Sequence, residues 1–230
     1  MAHRHKYLGQ EGFTLIEILV ALTLAALAIT LVVSDSSSTP HSKIERTFEN
    51  FERAVRFSRD EAVLRNRIIR LLIKIGEAGE QSSFTVEYGP DQDFVIPTQF
   101  LKDIDNDSSL DEDEIEARKK AISGQFNKVL EFQEEAEVLN DQISLIGIGS
   151  TLFTTFISEE EASIFFYPTG EKDGAFIVIG NEQEVATLSI EPFTMDFERS
   201  YHPIENNENI EDLFEFHTKQ GRELYQEWVK

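Results

Sequence analysis

The stretch that most constrains this chain is Gly12-Phe13-Thr14-Leu15-Ile16-Glu17, followed by Ile18 to Val33, sixteen residues with no charge and two threonines. From Phe13 to Val33 the run is twenty-one residues long, about 31 Å as a helix at ~1.5 Å per residue, against a hydrocarbon core of ~30 Å. That length spans a bilayer. His3, Arg4, His5 and Lys6 precede the run, Asp35 follows it, and no Lys or Arg returns before Lys43. The positive-inside rule then leaves residues 1–12 in the cytoplasm and the bulk of the chain outside. A removable secretory signal would carry its cleavage site after the apolar run. The A-x-A tripeptide here, Ala26-Leu27-Ala28, lies inside it.

Glu17 is the odd residue, since an acid at the centre of a spanning helix costs on the order of 2.5–3.5 kcal/mol on insertion scales. It needs a partner, or it must snorkel to the nearby interface as part of a plain single-pass anchor. Gly12 followed by Phe13-Thr14-Leu15-Ile16-Glu17 and an apolar helix resembles the class III leader of type IV pilins and type II secretion pseudopilins. The resemblance implies that prepilin peptidase cuts after Gly12 and methylates the new N-terminal Phe13. It also implies that Glu17 attracts the terminal amine of a neighbouring subunit during assembly. The electrostatics agree: a buried carboxylate and a buried ammonium each carry a desolvation cost that the opposite charge offsets.

The chain has 230 residues, 40% of them apolar, with eighteen phenylalanines and no cysteine. One anchor and one domain fit that length. Stability outside the cytoplasm must come from packing or a metal, because disulfides are excluded. The net charge is −22, and loss of the leader with Arg4, Lys6 and Glu11 leaves 19 basic and 42 acidic residues, or −23. A nucleic-acid partner is therefore not expected.

Ser34-Asp35-Ser36-Ser37-Ser38-Thr39-Pro40 breaks the first helix, giving a hinge over 34–42. Ile44, Phe48, Phe51, Val55, Ser58 and Ala62 recur at spacings of four and three and predict a soluble helix over 43–67. Ile68 to Ile75 reads as a strand and Phe84 to Tyr88 as its hairpin partner. The segment Ser58-Arg59-Asp60-Glu61-Ala62 through Arg65-Asn66-Arg67 resembles the "A-R-x-E-A-x-x-R-N" junction of protein H type minor pseudopilins, with Ser58 in place of alanine. Ile164 to Gly170, Ala175 to Ile179 and Val185 to Ile190 are similar to the closing strands of that family, including its "F-x-P-x-G" turn. The β-rich head is expected over 68–200, with an insertion over 90–141 that matches nothing in the family.

Within that insertion Asp103, Asp105 and Asp107 fall at positions one, three and five of a twelve-residue calcium loop. Ser109 offers a carbonyl at seven, Asp111 stands at nine and Glu114 at twelve. Ser108 stands where glycine would permit a left-handed backbone. The competing reading is a solvated acidic loop in a very acidic chain. Glu112 to Leu139 reads as a helix, broken at Gly124. Ile143 to Ile148 and Leu152 to Ile157 read as strands, with a bulge at Gly147-Ile148-Gly149. The tail over 201–230 carries Ile210, Leu213, Phe214, His217, Leu224, Tyr225 and Trp228 at helical spacing, interrupted by Gly221. Either it folds back on its own sheet, or it docks a neighbouring subunit or an exported substrate.

No catalytic constellation emerges: the five histidines are scattered, and no nucleophile elbow, zinc motif or phosphate-binding glycine loop occurs. The expected architecture is α+β and pilin-like, a long N-terminal helix on a β-rich head, in a protein that is not an enzyme. The expected role is that of a minor pseudopilin of type II secretion, single-pass in a bacterial inner membrane. Its expected partners are other pseudopilins or pilins, prepilin peptidase, the inner-membrane assembly platform and a candidate exported protein. Two alternatives stand beside it: a minor pilin of a type IV pilus, and a membrane-anchored calcium-binding domain that never polymerises.

Overall fold

The computed structural model describes residues 14–36, 39–76, 80–90, 124–151, 156–204 and 212–230, with the side chains of 28–36 excepted. The chain divides into two compact units, Met1–Ser42 and Lys43–Lys230. The first contains α1, Leu15–Ser36, which ends three residues beyond the expected span over 13–33. Proline restricts only the residue before it, so Asp35 and Ser36 stay helical although they fall inside the expected hinge over 34–42. The second helix, α2, runs Pro40–Arg65. Its start is earlier than the expected Lys43 because Pro40 fits the first helical position. Thr39 caps it, with Ser42 N–H donating to Thr39 Oγ1 at 3.3 Å.

In the second unit the stripe on α2 is buried as its spacing requires: Ile44, Phe48, Phe51, Val55, Ser58 and Ala62 are all inaccessible. They meet the inner faces of two antiparallel sheets in one continuous core. The first sheet is built from β1 (Ile69–Lys74), β2 (Ser83–Tyr88) and β6 (Glu161–Phe166) in the order β2-β1-β6. The second runs β5 (Ser144–Ser150), β7 (Ala175–Gly180), β8 (Glu184–Ile190), β9 (Phe197–Pro203). The period of two decides the faces. Ile69, Leu71 and Ile73 pack inward with Phe84, Val86, Ile164 and Phe166, while Arg70, Thr85 and Glu87 face the opposite way. Each buried aromatic on α2 contributes roughly 1.5–3 kcal/mol, and Phe51 sits 4.7 Å from Phe84, centroid to centroid.

The junction between α2 and β1 explains the motif found in the sequence. Arg67 N–H bonds to Ala62 O at 3.1 Å and Asn66 N–H to Val63 O at 3.4 Å, the two bonds of a Schellman cap. Asn66 takes φ 51° at its left-handed position, where asparagine is tolerated better than most residues. Glu61 accepts from Arg65 Nε and from Tyr88 O–H, each at 2.7 Å. The pattern thus reverses the chain from helix to strand. In the Tyr167-Pro168-Thr169-Gly170 turn, Gly170 has φ +88° and closes onto Tyr167 O at 2.9 Å, a conformation that favours glycine.

Two expectations change. Residues 124–139 are not the end of a helix: β3 (Asn127–Lys128) and β4 (Glu137–Val138) both pair with β2. Val129 N–H bonds to Val86 O and Leu139 N–H to Ser82 O, both at 2.9 Å. The open edge of β2 offers backbone partners that outweigh the helical spacing of Phe126, Val129 and Leu139. The bulge in β5 centres on Ile146, between Leu145 and Gly147 in the register with β7. It turns Ile146 to the outer face, whereas Leu145 and Ile148 join the main core. The expected strand over 152–157 lies mostly outside the described residues, apart from an Ile148–Ile157 bridge.

The tail resolves in favour of folding back. Asp212 caps α3 (Leu213–Trp228), its carboxylate accepting from Phe214 and Glu215 N–H, and the helix crosses the outer face of the second sheet. There Tyr225, Leu224 and Trp228 close a second small core over Ile146, Phe176, Val178 and Val185. Trp228 stacks on Phe176 at 5.4 Å and donates to Ser189 Oγ at 2.8 Å. Gly221 does not interrupt the helix: a Cβ there would lie 2.9 Å from Ile146 Cγ2.

Candidate functional site

The opening of α1 is built from Thr14. Glu17 N–H donates to Thr14 Oγ1 at 3.3 Å and to Thr14 O at 3.0 Å, so Thr14 caps the helix and Glu17 holds the third helical position. Thr-x-x-Glu is half of a capping box. A carboxylate there is also favoured by the positive end of the helix dipole. Glu17 therefore has a local reason to be where it is, and the Thr14-to-Glu17 spacing in the sequence carried that signal.

Beyond the cap, the helix has no polar side as far as its described side chains reach, Leu15 to Leu27. Leu15 is 82% exposed, Ile16 71%, Leu22 66% and Leu24 63%, and the consecutive Ile18, Leu19 and Val20 are each about half exposed. At about 100° per residue these positions leave no continuous polar face. An apolar surface of this extent normally marks contact with a membrane or another protein. Among the described residues no helix is long and apolar enough to cross a membrane. The described side chains of α1 stop at Leu27, about 20 Å of helix, and the expected span over 13–33 runs past them.

The other sequence-derived sites fall differently. Gly12 and Phe13 lie outside the described residues, as do Asp103, Asp105, Asp107, Ser109, Asp111 and Glu114. Among the described residues no three His, Cys, Asp or Glu side chains are grouped to hold a metal ion.

Residues 8–33 match the family model of the prokaryotic N-terminal methylation motif. This is a type IV pilin-like signal. It belongs to a class whose members are processed by prepilin peptidase and assemble with other pilins. No curated protein and no solved structure matches the chain.

The head carries buried polar clusters that sequence reasoning did not find. Arg70, 3% exposed, pairs with Glu87 through Nε to Oε2 at 2.9 Å, and its guanidinium lies 4.0 Å from the centre of the Phe126 ring. Arg199 on β9 ties to Glu45 at 2.5 Å and Glu52 at 2.6 Å, and Tyr201 also donates to Glu45. These acids sit on α2, some 150 residues earlier in the chain, a separation no local pattern reveals. In the crossover between the sheets, Asp173 accepts from Phe165 N–H at 2.8 Å and Tyr167 O–H at 3.2 Å. Burial pushes its carboxyl up to about 7 and the Tyr167 hydroxyl upward as well. Next to it Lys172 donates to the carbonyls of Glu191 and Thr194, and burial lowers its pKa. Each of these groups fastens one element to another.

Proposed function

We propose that this protein is a minor pseudopilin of a type II secretion pseudopilus, most like the protein H type. Its N-terminal helix anchors it in the inner membrane and then packs among the helices of like subunits, and its head faces the periplasm. The observation that carries this reading is the uncovered apolar girth of α1 through Leu27, a stretch that lies within the N-terminal methylation motif at residues 8–33. A helix apolar on every side is stable only in lipid or among other apolar helices. The sequence of α1 supports a span, because after Glu17 no charge occurs until Asp35. In this role Gly12 is the last leader residue and Phe13 the mature N-terminus. Glu17 then meets the amine of a neighbouring subunit. The work is mechanical and involves no catalysis.

Glu17→Ala tests the assembly role. The variant is expected to remain in the membrane fraction while its crosslinking to partner subunits falls by at least about tenfold, the loss of roughly 1.4 kcal/mol or more of pairing. Unchanged co-assembly would favour a lone anchor in which Glu17 acts only as part of the helix cap.

A further inference from the structure

The contact between α3 and the second sheet holds a group that the assembly role does not use. His217 is 3% exposed and lies on the face of α3 turned to the sheet. Its Nε2 is 3.1 Å from Asn181 O, on the β7–β8 turn. Since a carbonyl only accepts, Nε2 carries the proton, a bond that the neutral and the charged ring can both make; it is burial in an apolar contact that favours the neutral ring. A Cβ built on Gly180 would lie 3.2 Å from the His217 ring and 2.9 Å from Ile146, so the ring fills the space that this glycine leaves. On its other side Phe216 lies 6.1 Å away, centroid to centroid.

The charged surroundings offer a cation little. Glu215 and Lys219 on α3 and Glu182 on the turn are exposed, where water screens them, and Glu184 is half-buried. Burial lowers the pKa of His217, and the Asn181 carbonyl opposes this only in part. Tyr225, the other titratable group of α3 buried against the sheet among the described residues, is itself driven toward its neutral form by burial. The interface also leaves Asn181 Nδ2 and Gln220 Oε1 buried without partners, so α3 docks by apolar contact with polar groups incompletely satisfied.

We propose that α3 is an acid-released cover on the second sheet, with His217 as the proton-sensitive group that undocks it. Docking requires the neutral ring. The undocked ring titrates near its ordinary value of 6.5, so acid draws the helix off the sheet. Stability of the docked state is fully present above that value and is lost as pH falls through the window below it. Within that window the undocked-to-docked ratio rises about tenfold per pH unit. Release uncovers the outer apolar face formed by Ile146, Phe176, Val178 and Val185, which the docked helix seals.

The single tryptophan of the chain, Trp228, reports docking directly. The full-length protein in detergent is titrated from pH 8 to pH 5 while Trp228 emission, acrylamide quenching and far-ultraviolet circular dichroism are followed. The expected result is a red shift and a rise of about threefold or more in quenching, with strand signal unchanged. His217→Gln, which can still donate to Asn181 O but takes no proton, is expected to hold Trp228 buried throughout. Wild-type emission flat to pH 5, or the same acid transition in His217→Gln, overturns the proposal. If the variant does not fold, NMR titration of the His217 ring in the wild type decides. Titration below 6.5 in step with Trp228 release supports the switch, and titration at or above 6.5 overturns it.

Discussion

Ser58 is fully buried on α2, and its hydroxyl finds no hydrogen-bond partner. Alanine occupies this place in the pattern the segment resembles, and alanine removes the unsatisfied group at almost no cost in volume. Ser58→Ala is expected to stabilise the head by about 1 kcal/mol or more, read as a higher midpoint in denaturant with an unchanged slope. Asp173 gives a pH dependence of defined sign. Its folded carboxyl is raised from 3.8 to about 7, so between those values the folded state binds a proton that the unfolded state has released. Its contribution is greatest in acid and declines as pH rises from 4 to 7, by on the order of 4 kcal/mol at most. Asp173→Asn should flatten the stability profile over that range, and an unaltered profile would assign the dependence elsewhere. The slope is opposite to that of His217, which separates global unfolding from release of α3.

At the scale of elements, what could be read from the sequence is what repeats locally. The stripe from Ile44 to Ala62, the apolar run from Ile68 to Ile75 and the unbroken apolar run in β7 each point to a particular element, and those elements form. The failures share one physical cause, competition from a partner distant in sequence. Phe126, Val129 and Leu139 have helical spacing, yet the free edge of β2 takes the segment as strand. Gly221 reads as a helix breaker until Ile146 is seen pressed against it. Arg199 bridging Glu45 and Glu52, and Arg70 buried on Glu87, depend on registers that appear only once the sheets exist. Of the candidate sites, Glu17 was legible as a lone acid in an apolar run, whereas its cap on Thr14 was not read and His217 looked like one more residue of an amphipathic stripe. The acidic loop at Asp103 to Glu114 is proposed as a calcium site on residue spacing alone. Millimolar calcium is expected to raise the melting temperature of the full-length protein by a few degrees, on the order of 1 kcal/mol. A melting curve indifferent to calcium would remove the ion from the account.

For the whole molecule, the two units differ in what covers their apolar side chains. Residues from Lys43 onward enclose their own apolar core and a second small one beneath α3, so the head needs no outside surface to fold. Through Leu27, by contrast, α1 leaves its apolar side chains uncovered, and in the proposed role lipid or like helices cover them. An assembling subunit follows from that asymmetry if a trimmed leader exposes an amine for the Glu17 carboxylate of a neighbour. The most direct measurement is mass spectrometry of the N-terminal peptide from protein isolated in its native host. The expected species begins at Phe13 and carries one added methyl group on its amine. A peptide that retains residues 1–12, or one that begins at any other residue, would contradict the account.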